Sequence, residues 1–281
     1  MEKITIDHVA KISSVLVKSK NSFYANYANP FYLLDNCYFE KINKEIWIYQ
    51  PSIFRKEEYN LINVPKSVGN IDGQGFTLLS SYEIKSLEDL GLRILEKREI
   101  GPEFFYKTSD FVELKGRKFA SFRKKINGVK RMHNLRVLDH YKKDDVKALL
   151  EEWALLKDTA SMEKNELKSF NSELQSNINA IELLDKISNK SYFVEINGKL
   201  AGFRVNVLLN KKLWVAVFQK TNRIYKGLNE FLDHVSASYY KKVEYFTTGG
   251  AGRSRGLAES KRRIHPSEEK MLYFVLTQRT H

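Results

Sequence analysis

Apolar residues recur at helical spacing over residues 6–19. There Val9, Ile12, Val15 and Leu16 line one side and predict an amphipathic first helix. The stretch "CYFEKINKEIWIYQP" changes the period to two. It predicts two short strands around a turn at Asn43–Lys44, stopped by Pro51. "SLEDLGLRILEKR" (86–98) returns to helical spacing, with Ser86 placed to cap it. Later, "SYFVEI", Asn197–Gly198 and "KLAGFRVNVLL" predict a hairpin, because both turn residues tolerate positive φ. Along its second strand Phe203, Val205 and Val207 share one face, and Arg204 and Asn206 the other. "NKK" turns the chain into "LWVAVF" (213–218), apolar enough to lie inside a sheet. Leu228, Phe231, Leu232, Val235 and Tyr239 then form one helical stripe, and "VEYF" (243–246) is the next strand.

One pattern repeats. "YFEKIN" (38–43) and "YFVEIN" (192–197) are nearly the same hexapeptide, each opens a hairpin, and each half follows its hairpin with a helix. An internal duplication is the expectation.

The 281 residues, 42% of them hydrophobic, suffice for one large or two modest domains with real cores. A net charge of +13 would mean little if it were spread evenly, but it clusters. Residues 115–132 hold eight Lys or Arg and no acid, and residues 252–266 hold five against Glu259 alone, whereas residues 151–186 carry eight acids and four bases. Such patterning suits an anionic partner: tRNA, a nucleotide, CoA or the face of an anionic membrane. Cys37 is the only cysteine, which excludes an intrachain disulfide and a cysteine-rich zinc site. His140, His234 and His265 lack metal-ligand spacing, so no metal site is expected. No Ser-His-Asp set or nucleophile elbow is present, and no catalytic residue is assigned. The lysine-interrupted N-terminus does not read as a signal peptide, and no run approaches the ~18 apolar residues of a membrane span, so a cytoplasmic protein is expected.

Candidate chemistry concentrates at "QKTNRIYKGLNEFLDHV" (219–235), where Gly227 stands between a basic loop and a helix. A helix N-terminus offers unpaired N–H groups and partial positive charge. A glycine there admits a phosphate to the backbone, and Lys226 adds a point charge. Following a central strand, "NRIYKG" resembles the CoA-holding loop of the GNAT acetyltransferases, with Gly227 filling its last place. Asn222 replaces the usual Gln or Arg, and Tyr225 replaces the first glycine. The resemblance implies a donor site made by Phe218, Gln219, Tyr225, Lys226, Gly227, Leu228 and Asn229.

"FVELKGRKFASFRKKIN" resembles the signature of a particular GNAT branch, the family related to the C-terminal domain of phosphatidylglycerol lysyltransferase. Leu114, Gly116, Lys118, Phe119, Arg123, Ile126 and Asn127 fall in place, while Lys124 departs from the family's Asn. The likeness continues through residues 192–222 and "GLAESKRRIHP", where Gly256, Lys261 and Pro266 match the closing motif. "TTGGAGRSRG" stands where the family has an acidic segment, so no acid or base role is carried over from there.

The resemblance implies an α/β (α+β) chain of two tandem GNAT-like domains, each a mixed, mainly antiparallel sheet flanked by helices. The expected division is 1–108, a basic connecting helix 109–135, and 136–281 with the donor site. It implies transfer of an acyl or aminoacyl group from a large anionic donor, aminoacyl-tRNA or acyl-CoA, to an amine or hydroxyl. No tightly bound cofactor is expected, and the donor acts as co-substrate. Lys118, Arg123, Arg253, Arg255 and Lys261 are the candidate nucleic-acid or phosphate contacts, with tRNA and an anionic membrane as candidate partners. Two alternatives stay open: a noncatalytic RNA-binding protein on the same fold, and a CoA-dependent small-molecule N-acetyltransferase.

Overall fold

A computed structural model describes residues 1–18, 28–55, 58–66, 73–157, 159, 162, 164–252 and 254–279. In chain order the first repeat runs β1 (Glu2–Lys3), α1 (Ile6–Lys18), α2 (Pro30–Asn36), β2 (Tyr38–Ile42), β3 (Glu45–Pro51), β4 (Tyr59–Leu61), β5 (Gly75–Leu79), α3 (Ser81–Asp89) and β6 (Leu92–Lys107). A connector follows: α4 (Thr108–Glu113), a 3₁₀ turn (Arg117–Phe119) and α5 (Ala120–Met132). The second repeat is β7 (Leu135–Leu138), α6 (Lys143–Leu155), α7 (Lys164–Leu183), β8 (Lys190–Ile196), β9 (Lys199–Asn210), β10 (Leu213–Thr221), α8 (Leu228–Tyr239), β11 (Tyr245–Gly250), α9 (Arg255–Arg262) and β12 (Glu268–Arg279). Both repeats thus go strand, two helices, then a hairpin. The echoed hexapeptides enter the two hairpins, whose turns have positive φ at Asn43 and Lys44 and at Asn197 and Gly198. None of the described helices is long and apolar enough to cross a membrane.

The chain forms two compact units, Met1–Phe105 with Thr247–His281, and Tyr106–Phe246. Compactness therefore groups the last 35 residues with the first unit, whereas the sequence boundaries place them with the second repeat. The reason is pairing: β12 lies antiparallel to both β5 and β6, running against β6 from Glu268↔Phe105 to Arg279↔Leu92. In the first unit the strand order is β1-β2-β3-β4-β5-β12-β6, antiparallel except for the parallel β4–β5 pair at Leu61↔Phe76. Trp47, Tyr49, Leu61, Phe76, Leu87 and Val275 form the core on one face.

In the second unit β7, β8, β9 and β10 are successively antiparallel. The amide of Tyr245 donates to Lys212 O at 2.8 Å, which starts β11 beside the beginning of β10. The core is aromatic. Trp214 stacks on Tyr240 and Phe246, and Phe246 meets Tyr106 and Phe111, with ring centroids 4.5–5.0 Å apart. Aromatic rings gain from such offset and edge contacts beyond the area they bury. Trp214 Nε1 donates to Thr108 Oγ1 at 3.1 Å, so the indole's one polar atom is satisfied.

One expectation is corrected. The helix expected over 86–98 instead ends at Asp89, and the residues after it are strand. Ser80 and Glu83 form a capping box that starts α3 earlier, Gly91 turns the chain at φ +83°, and β12 pairs β6 along its length. The Arg204–Asn206 face of β9 is covered by α8, and both residues are buried. The capping box gives a direct check. Ser80→Ala should lower unfolding free energy by about 1 kcal/mol, measured by urea titration.

Candidate active-site groups

The segment from β10 to α8 is held mainly by its own backbone. Ile224 N donates to Asn222 Oδ1, Tyr225 N to Asn222 O, Lys226 N to Ile224 O, and Leu228 N to Tyr225 O. Gly227 precedes the helix at φ +96°. A Cβ there would collide with the Lys125 carbonyl of α5. The glycine is therefore required by close approach of a neighbouring helix backbone, a cause separate from any phosphate.

Glu230, in the first turn of α8, is paired with Lys125 Nζ at 2.6 Å. Its carboxylate already answers part of the helix's positive end. Tyr225 lies edge-on against His133, with centroids 5.0 Å apart. Lys226 is exposed, whereas Leu228 is buried over Gly202 of β9. Gln219 Nε2 donates to both O and Oδ1 of Asn229 at 3.1 Å, and Thr221 Oγ1 donates to the same Oδ1 at 3.0 Å. Phe218 is partly buried at the outer part of β10. The seven donor-site candidates thus lie together in one unit, with Lys226 and Asn229 facing solvent.

The cationic candidates separate. Lys118 pairs with Asp110 at 2.9 Å and lies over the Phe119 ring. Arg123 donates to the carbonyls of Leu114 and Gly116, stapling the turn after α4 where both residues have positive φ. Arg255 is exposed at the start of α9. Arg253 lies outside the described residues. Lys261 keeps part of its surface in solvent, but its ammonium is enclosed. Its Nζ donates to Thr248 O (2.7 Å), Thr248 Oγ1 (3.0 Å) and Gly249 O (2.9 Å).

Lys261 leads to a cluster that the sequence did not reveal. Glu103, in the middle of β6, is fully buried. Thr247 Oγ1 donates to Glu103 Oε1 at 3.0 Å, while Oε2 is buried with no partner among the described residues. Burial pushes the Glu103 carboxyl up to about 7, against the lowering effects of the Thr247 hydrogen bond and of Lys261 and Lys270. Burial pushes Lys261 down to about 8, opposed by the charge of Glu103. An acid and a base moved toward neutrality within one cluster are what proton-transfer sites require.

The backbone beside them is tight. A Cβ on Gly101, at φ +138°, would overlap the Gly252 carbonyl, and Ala251 N donates to Pro102 O at 3.1 Å. Only the isolated acid in the apolar strand "GPEFFY" hinted at Glu103; its partners are about 145 and 158 residues away. Among the described residues no group of three or more His, Cys, Asp or Glu could hold a metal ion.

The raised Glu103 pKa has a signed consequence. Between about 4.5, its ordinary value, and about 7, the folded state holds a proton that the unfolded state has lost. Folding stability from this group is therefore present below pH 4.5 and is lost as pH rises toward 7. Glu103→Gln should remove that slope and, near pH 7.5, be more stable than the parent by up to a few kcal/mol. Paired thermal melts from pH 5 to 8 measure the difference.

A search of curated proteins found no match. Among solved structures, a conserved protein of unknown function from Bacteroides thetaiotaomicron matches with a TM-score of 0.80 at 16% identity, covering 98% of each chain. The C-terminal domain of a putative lysylphosphatidylglycerol synthetase from Agrobacterium fabrum matches with a TM-score of 0.65 at 16% identity, covering 97% of this chain and 92% of that one. A tandem GNAT protein from the clavulanic acid biosynthesis pathway matches at 0.50 with 8% identity, covering 100% and 98%. At these identities the likeness shows the fold, which is mixed α+β and tandem GNAT-like. The model of the family "phosphatidylglycerol lysyltransferase, C-terminal" matches residues 74–281, more than half of the chain. With a tandem GNAT-like fold and that match, this chain belongs to the phosphatidylglycerol lysyltransferase C-terminal family and is a GNAT-like protein of acyltransferase type.

Proposed function

We propose that the chain moves an acyl or aminoacyl group from a large anionic donor, aminoacyl-tRNA or acyl-CoA, to an amine or hydroxyl acceptor. The observation that carries this reading is the enclosed Glu103–Thr247–Lys261 cluster, with its acid and base both shifted toward neutrality, on an acyltransferase-type fold. The acceptor nitrogen or oxygen adds to the acyl carbon, and negative charge develops on the carbonyl oxygen. The bond to the ribose oxygen of tRNA, or to the sulfur of CoA, then breaks. The proton lost by the acceptor ends on that leaving atom or in solvent. No covalent enzyme intermediate is needed, so positioning and charge stabilisation supply the acceleration.

In this reading Lys261 supplies positive charge near the reacting carbonyl or the donor's phosphates. Glu103 acts beneath it as a positioning residue that keeps the ammonium protonated. Lys226 and the amides at the start of α8 serve the donor's phosphates. The two basic clusters and the enzyme in the family's name favour a charged tRNA over CoA as donor. Two observations favour the noncatalytic RNA-binding alternative: the Lys125 backbone fills the space beside Gly227, and Glu230 already meets the helix end.

The test incubates the protein with lysyl-tRNA and, separately, acetyl-CoA, each with phosphatidylglycerol vesicles or a panel of small amines. Acceptor-dependent transfer from either donor is the expected result. Saturable tRNA binding without transfer to any acceptor would assign the chain to the noncatalytic alternative, and saturable binding of neither donor would sink both readings. Lys261→Ala should lower the transfer rate by about 10²-fold or more, with circular dichroism confirming that the variant is folded.

A further inference from the structure

The second unit buries a charged network that the chemistry above does not use. Arg204 of β9 is 1% exposed. Its Nε donates to Asn206 Oδ1 at 2.9 Å, and its Nη1 donates to Gln219 Oε1 of β10 and Asp233 Oδ1 of α8. The guanidinium also lies 5.5 Å from the Trp214 ring centroid. Asn206 Nδ2 continues to Ser236 Oγ of α8 and to Lys190 O of β8, both at 3.1 Å.

As a source of stability this arrangement is uneconomical. Asp233 is mostly buried, and desolvation drives its carboxyl up despite the lowering effect of Arg204. Arg204 Nη2 is buried with no partner among the described residues. A buried pair that is imperfectly satisfied can be matched or exceeded in stability by apolar residues of the same volume. What apolar residues could not do is fix a direction. Arg204 ties β9, β10 and α8 through one rigid planar group, and each of its bonds accepts only a narrow range of positions.

One branch of the network reaches the start of α8. Gln219 takes the guanidinium on its carbonyl oxygen and passes its amide to Asn229, the second residue of α8, whose Oδ1 also accepts from Thr221. From this connectivity we infer that Arg204 and Asp233 are positioning residues for the donor-binding start of α8, acting through Gln219 and Asn229. The inference rests on the transferase reading for what the helix start holds. It concerns a different property: which groups aim it.

The test uses Arg204→Lys, Gln219→Ala and the double variant in the full chain. Lysine keeps the charge but replaces the planar fork, whose Nε and Nη1 serve different partners, with a single nitrogen on a flexible stem. Gln219 is only partly buried, so its variant should fold even if the other does not. Donor affinity is read with lysyl-tRNA and CoA titrations, and amide hydrogen exchange is read across the chain.

Each single change should weaken donor binding by about 10-fold, and the double should be no weaker than about the worse single, because both break one chain of bonds. Exchange at Phe231, whose amide donates to Gly227 O at 3.0 Å, should rise at least about 10-fold while β8 keeps its protection. Multiplicative weakening in the double, undiminished binding in both singles, or faster exchange spread evenly over the unit would overturn the inference. If the parent binds neither donor, the transferase reading fails. The exchange pattern then decides the positioning role by itself: local loosening at the start of α8 upholds it, and uniform or unchanged exchange refutes it.

Discussion

A charge taken out of water must be answered by another charge or by several dipoles, and in this protein each compact unit is organised around one such debt. In the second unit it is Arg204 against Asp233, set between β9, β10 and α8. In the first it is Glu103, enclosed in β6, which accepts from Thr247 and feels the charge of Lys261. The desolvation cost is large enough that neither pair survives a shift of its neighbours by much. Strand register and helix placement around these groups are therefore constrained more sharply than apolar packing would constrain them.

The two debts are met differently, and the difference bears on function. Asp233 faces a guanidinium that cannot lose its proton, and the hydrogen bond between them makes a rigid joint. Glu103 and Lys261 both sit near neutrality, where a small change in surroundings moves a proton. A fixed pair suits positioning and a poised pair suits proton chemistry. The contacts of Lys261 add to this, since its ammonium pins the Thr248 and Gly249 carbonyls at the end of β11. The glycine-rich segment that stands where the family has acids is thus anchored by a lysine from α9.

Gly227 shows how one residue answers two questions at once. Its position before α8 fits a phosphate-binding loop, yet the Lys125 carbonyl lies where its side chain would be. A backbone that must pass close to another backbone demands glycine irrespective of any ligand. Arg123 is a similar case: a cation in a basic run whose guanidinium closes the turn after α4 by binding two carbonyls. Local chemistry suggested anion contacts for both residues, and tertiary packing gives each a structural duty as well.

The sequence by itself determined the elements whose pattern is local. Alternation and the Asn43–Lys44 and Asn197–Gly198 turns specified both hairpins, the apolar stripe from Leu228 specified α8, and the echoed hexapeptides disclosed the repeat. Those signals depend only on neighbours within a few residues. The tertiary structure decided what depended on distant partners. Residues 92–98 are strand because β12, about 180 residues later, supplies their hydrogen bonds. Arg204 became interior because α8 lies over it, and Glu103 acquired its partners from β11 and α9. Burial and pairing set the chemistry of a charged side chain, and both are fixed only when remote segments meet.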